Sequence, residues 1–192
     1  MKTKCAWAIK HKLEEDYHDS EWGIPVFDDR LLFESLTLES AQAGLSWYTV
    51  LKKRDNYRKA FDNFEVLKIS KYNQTKINKL LLDAGIIRHK LKINATINNA
   101  KVVLDIQKEY GSFSKYIWSF TNGVPLQNNW SSTKDIPSRT ELSDTMSKAL
   151  KKKGFKFIGT TICYAYMQAI GMINDHTTDC FRHNHIKNIT LL

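Results

Sequence analysis

Leu80–Lys92 reads LLLDAGIIRHKLK. Apolar residues at helical spacing run into a short glycine-containing turn, and helical spacing resumes directly behind it. Upstream, Ile77, Leu80 and Leu81 share a face that ends at Gly85, a glycine placed where a helix stops. Downstream, Ile93, Ile97, Ala100 and Leu104 line one face of a long helix closed by Gly111. Residues 76–104 therefore have the outline of a helix-hairpin-helix corner. Two readings are open. Short connections between packed helices are common, and the corner is then only a packing joint. Alternatively, N–H groups at the start of the second helix face a phosphate, with Gly85 in the turn and Arg88, Lys90 and Lys92 adding charge.

Working outward, the helical reading continues. DRLLFESLTLESAQAG (29–44) carries Leu31, Leu32, Leu36 and Ala43 at near-helical spacing and stops at Gly44. SWYTVLKKRDNYRKAF (46–61) follows as a helix or a broken pair. SFSKYIWSF (112–120) starts with a capping serine, Ser112. SRTELSDTMSKALKKKG (138–154) sets Ser138 and Glu141 in capping-box spacing and closes on three lysines before Gly154. TTICYAYMQAIGMI (160–173) is apolar almost all round, which predicts a central buried helix. The irregular stretch TNGVPLQNNWSSTKDIP (121–137) predicts a surface loop rather than a boundary. With few alternating runs and no repeat, the expectation is one all-α domain over residues 1–192.

With 29 Lys and Arg against 20 Asp and Glu, the net charge is +9. Such an excess favours a polyanionic partner, nucleic acid or an acidic membrane surface; the alternative is a basic solubility surface. The runs at Lys52–Arg54 and Lys151–Lys153 either touch phosphates or solvate helix ends. No apolar run approaches the ~20 residues that span a bilayer. MKTKCAWAIKHKLEED has no apolar core of a secretion signal, so a cytoplasmic protein is expected. Cys5, Cys163 and Cys180 are an odd, sparse set, which argues against disulfides and leaves metal ligation or buried thiols. No dinucleotide fingerprint, P-loop, H-E-x-x-H or serine elbow is present.

Two constellations carry chemistry. EEDYHDSEWG (14–23) places His18 in a run with no helix or strand period, and NDHTTDCFRHNH (174–185) places His176 and Cys180 four apart, on one face of a helical turn. Cys5, His18, His176 and Cys180 would make a Cys2His2 tetrahedron that suits zinc and ties the chain ends together. They are otherwise four unrelated side chains, and His183 is a possible substitute. Cys163, in the apolar helix, reads as an inert buried thiol. The second constellation is aromatic: Trp7, Tyr17, Trp22, Trp47 and Tyr48 lie in the first quarter of the chain. Glu39 falls nearby among small and apolar residues. Aromatic walls with one buried carboxylate suit a flat cationic ring, while a surface acid beside a tryptophan core is the alternative.

YHDSEWG (17–23), AQAGLSWYTVLKKR (41–54), DAGIIRHKLKI (83–93), SKALKKKGFKFIGTTICYAYMQAIGMINDH (147–176) and DCFR (179–182) resemble the DNA-3-methyladenine glycosylase I family, the constitutive alkyladenine glycosylases of bacteria. The resemblance runs from Cys5 to about Arg182. It implies a fold of the helix-hairpin-helix glycosylase superfamily and a monofunctional enzyme without a lyase step. It also implies a monomer that acts on alkylated double-stranded DNA and releases free 3-methyladenine. Carried over by position, Cys5, His18, His176 and Cys180 match ligands of one structural zinc ion. Glu39 matches the base-recognising acid, and Tyr17, Trp22 and Trp47 match pocket aromatics, with Trp7 beside the first zinc ligand. The hairpin becomes a DNA-backbone anchor. One departure is Glu14, which stands where many relatives carry a tyrosine. Two other classes compete: a zinc-stapled DNA-binding module without activity, which would make Glu39 unnecessary, and a thiol redox protein, which would need a reactive Cys163.

Overall fold

The computed structural model describes residues 2–189, and the expected domain over residues 1–192 runs past these at both ends. In the described residues ten α-helices follow one another, with two short 3-10 turns at Asp62–Phe64 and Ser119–Thr121: α1 Lys12–Ser20, α2 Asp29–Gln42, α3 Trp47–Ala60, α4 Val66–Ile69, α5 Gln74–Leu82, α6 Lys90–Tyr110, α7 Phe113–Trp118, α8 Glu141–Lys153, α9 Thr160–Ala169 and α10 Phe181–Lys187. Their starts are written locally. Asp28, Ser46, Asn73 and Ser112 each accept a first-turn amide of the helix they precede, which satisfies one of its orphan donors. Gly111 and Gly154 close α6 and α8 in the left-handed conformation.

Two local expectations are corrected. The cap of α8 is not Ser138 with Glu141; Thr140 is the N-cap, and Ser143 completes the reciprocal box. Both pairs obey the same three-residue spacing, so spacing could not choose between them. The apolar stretch at 160–173 is not one helix. It ends at Ala169, and Gly171 turns at φ +70°. A Cβ there would lie 2.3 Å from the carbonyl carbon of Ile24, so the close approach excludes any side chain. Behind it Ile173–Asn174 pairs in parallel with Leu126–Gln127, the two-residue strands β2 and β1. The irregular stretch at 121–137 is the expected surface loop, tied down by this two-residue strand.

Two cores result. The larger packs Phe33, Leu36, Ile93, Phe113, Met146 and Tyr166 among α2, α6, α7, α8 and α9, all essentially inaccessible. Each such side chain stabilises the fold by about 1.5–3 kcal/mol. The carboxylate of Asp29 braces this core: it accepts the amides of Phe113 and Ser114 and the side chain of Gln107 at 2.7–2.9 Å. The smaller core joins the chain ends. Cys5, Tyr17, Trp22 and Leu51 pack with Ala169 and Cys180, and Trp47 touches both cores.

Candidate functional site

The smaller core contains a closed donor set. Cys5, His18, His176 and Cys180 are all buried, and their ligand atoms lie within 4.8 Å of one another. Cys180 Sγ is 3.5 Å from His18 Nε2 and 3.6 Å from His176 Nδ1, and Cys5 Sγ is 3.6 Å from His176 Nδ1. The remaining ring nitrogens are held from outside: His18 Nδ1 by Asp19 at 2.8 Å and His176 Nε2 by the carbonyl of Trp22 at 3.2 Å. Such outer contacts orient imidazoles toward a metal. The four-residue gap between His176 and Cys180 is not helical, as the spacing suggested. It is a turn, and Cys180 is the residue before α10. His183 is not in the set, because its Nε2 faces the carbonyl of Asn128 at 2.9 Å. Cys163 is buried elsewhere, and burial pushes its thiol up to about 12, far from a reactive thiolate.

Beside the cluster opens a cavity of about 530 Å³ lined by Trp7, Glu14, Tyr17, Trp22, Glu39 and Trp47, among others. A second cavity of about 240 Å³ lies behind it and shares Tyr17, Glu39 and Trp47. The aromatic rings interlock. Trp7 meets Trp22 edge-on at 5.1 Å, and Tyr17 lies 5.3 Å from Trp47, tilted by 53°. Trp22 also stacks along His18, with ring centres 6.1 Å apart. The pocket and the donor set, expected as separate sites, therefore share a wall.

Glu39 is on α2 and only 6% exposed. Burial alone pushes its carboxyl up to about 8. The carboxyl is therefore mostly protonated near neutrality while no cation is present. A positive ring would favour the ionised form and gain from it. The surface-acid alternative does not describe this residue.

The hairpin is formed by the C-terminal end of α5, the turn at 83–89 and the first turn of α6. Gly85 donates to Asp83 Oδ1 at 2.7 Å, and a Cβ on it would meet Asn56 at 3.0 Å. Ile87 N–H donates to the Tyr57 hydroxyl at 3.2 Å. Arg88 and Lys90 are exposed at the start of α6, where helix amides have no acceptor within the helix. Lys92, expected with them, is turned inward instead. Its Nζ donates to the carbonyls of Ala41 and Ala43 at 2.8 and 2.7 Å, so it caps the C-terminal end of α2. Burial lowers its pKa.

One residue that sequence reasoning missed organises the region. Asp175 is buried, and its two oxygens accept Asn128, Trp130, Tyr164 and Gln168 at 2.6–2.7 Å. It ties the irregular stretch and α9 to the turn that carries His176. Nothing in the run NDH marks it, because its four partners come from distant positions.

A helical frame with an exposed cationic corner and an aromatic cavity that encloses an acid is compatible with a helical DNA glycosylase. The chain belongs to the methyladenine glycosylase family, whose model matches residues 7–183. It is 48% identical to a DNA-3-methyladenine glycosylase of Haemophilus influenzae over 180 residues, 94% of this chain and 97% of that one. The crystal structure of a 3-methyladenine DNA glycosylase I is similar with a TM-score of 0.92 and 49% identity, covering 94% of this chain and all of that one. A 3-methyladenine DNA glycosylase I from Staphylococcus aureus, whose structure concerns 3-methyladenine recognition, is 37% identical with a TM-score of 0.91, over 94% of this chain and 96% of that one. Among the described residues no helix is long and apolar enough to cross a membrane.

Proposed function

We propose that this protein is a DNA-3-methyladenine glycosylase, which hydrolyses the N-glycosyl bond of 3-methyladenine in alkylated DNA. The observation that carries the reading is Glu39, a buried acid held without a cationic partner in an aromatic cavity. Methylation at N3 makes the adenine a cation and a good leaving group, so the protein has mainly to extrude, hold and identify the base. Extrusion costs a few kcal/mol of unstacking, least at a damaged base. In the cavity Glu39 accepts the exocyclic amine and balances the ring charge, while Tyr17 and Trp47 supply faces for stacking. Trp22 and Trp7 close the wall. A neutral adenine gains less from both terms. Asp175 already accepts four donors and is not available to activate water.

The hairpin supports the DNA. Arg88, Lys90 and the amides at the start of α6 meet the backbone, which gives affinity but no base choice. Gly85 keeps that turn close against α3. Cys5, His18, His176 and Cys180 would hold one zinc ion. Zinc–sulfur bonds of about 2.3 Å and zinc–nitrogen bonds of about 2.0–2.1 Å at tetrahedral angles set sulfur-to-nitrogen gaps of roughly 3.5 Å. Three of the four gaps here are 3.5–3.6 Å, and all four donor atoms lie within 4.8 Å of one another. Four protein ligands leave no position for water, so the metal would supply rigidity and no chemistry to the reaction.

The test is incubation with methylated duplex DNA, followed by identification of the released base. Release of 3-methyladenine is the expected result. Binding without release of any base would favour a DNA-binding module and refute the enzyme.

A further inference from the structure

Glu14 is a second acid of the same cavity. It sits on α1 one turn before Tyr17 and is 7% exposed. Its Oε2 is fully enclosed and has no hydrogen-bond partner. The other acids of α1 behave differently: Glu15 pairs with Lys4 and Lys12, Asp16 with Lys12, and Asp19 with Lys4 and His18. Elsewhere, buried Glu34 is answered by Arg58 at 2.7 Å and buried Asp175 by four donors. Glu14 and Glu39 are the buried acids with neither an ion pair nor a hydrogen bond among the described residues, and both line the 530 Å³ cavity.

An acid enclosed without a partner costs folding stability. Such an arrangement is understandable where a ligand brings the missing partner. We propose that Glu14 is a specificity-determining residue that receives the positively charged purine from the α1 side while Glu39 receives it from α2, so that the cavity selects for charge twice. The proposal rests on the glycosylase reading for the identity of the purine. Its geometry needs only the cavity and its two acids. Lys10, on the same cavity, is exposed and makes no ion pair with Glu14. It leaves the charge of the enclosed acid for the ligand.

The experiment compares two free ligands by tryptophan fluorescence: 3,9-dimethyladeninium, which carries a fixed positive charge, and 9-methyladenine, which is neutral. Glu14→Gln keeps the shape and removes the charge. It should weaken the cation by about tenfold and change the neutral ligand by less than about twofold. Its melting temperature should hold or rise, because an unpaired buried acid has gone. Glu14→Asp keeps the charge and should recover part of the preference for the cation, which also covers the case in which Glu14→Gln folds poorly. Equal weakening of both ligands would make Glu14 a shape-giving wall residue, and no weakening of either would place it outside recognition. Both outcomes overturn the proposal. Excision from methylated DNA by the unaltered protein is measured in parallel. If it releases no base while the Glu14-dependent preference for the cation stands, the enzyme reading fails and this one survives.

Discussion

The indole of Trp22 stands edge-on to the imidazole of His176, ring centres 4.5 Å apart at 75°, while the carbonyl of Trp22 faces Nε2 of the same histidine. One residue thus lines the aromatic cavity and orients a member of the donor cluster. Gly23, next to it at φ +83°, leaves room for that ring; a Cβ there would lie 3.0 Å from His176 Nε2. The cluster is therefore the footing of the pocket wall.

Loss of one donor of the cluster should consequently be felt in the pocket. Cys180→Ser should lose zinc by metal analysis, lower the melting temperature and weaken free 3-methyladenine by about tenfold or more, because Trp22 and Trp7 lose their backing. Metal loss with unchanged base binding would show that the wall stands without the cluster.

Charge at the hairpin divides into two roles. Arg88→Ala and Lys90→Ala should weaken binding to damaged and undamaged DNA alike. Each should shallow the log–log salt dependence by roughly one unit. Lys92→Met should leave that slope unchanged but slow excision, since it frees the end of the helix that carries Glu39. A reduced slope for Lys92→Met would return that residue to the DNA backbone.

Asp175→Ala removes the acceptor of four side chains that it holds together. Hydrogen bonds to a charged acceptor contribute about 1.5–3 kcal/mol each and do not simply add. The loss in urea denaturation should be about 3 kcal/mol or more. A change below about 1 kcal/mol would mean that water replaces the acceptor at little cost.

The helical corner was legible from spacing, whereas the donor set and the pocket around Glu39 stayed open on residue type and were assigned by the resemblance. Helical period marks which face is apolar, and Cys and His in one chain limit what can bind a metal. Direction was not legible. Lys92 has the same period and charge as its neighbours, yet it points at α2, because the carbonyls of Ala41 and Ala43 lie within its reach only after folding. Asp175 was missed for the same reason. The two-residue pairing of β1 with β2 is too short for an alternating pattern. Glu14 stood out only as a departure from the resemblance; that it is enclosed and unpartnered became visible only in the folded cavity.

The elevated value of Glu39 carries a pH signature. In the unfolded chain it ionises near 4.5, and in the folded protein near 8. Below the unfolded value both forms are protonated and no stability is at stake. As pH rises toward about 8 the unfolded chain releases a proton that the folded one keeps. Stability falls by up to about 1.4 kcal/mol per pH unit and then levels off. Glu39→Gln escapes this loss. Its melting temperature relative to the unaltered protein should climb between pH 5 and pH 8, whereas a constant difference would mean that Glu39 titrates normally.

Single-turnover release of 3-methyladenine from methylated DNA, compared between the unaltered protein and Glu39→Ala, tests the central claim most directly. A charge-assisted hydrogen bond of ~1.5–3 kcal/mol corresponds to a loss of roughly tenfold to a hundredfold. Glu39→Gln, which keeps the shape and one acceptor, should fall less, and both variants should retain their zinc. Release by Glu39→Ala at the unaltered rate, with normal binding of the free base, would contradict the account and remove Glu39 from base recognition.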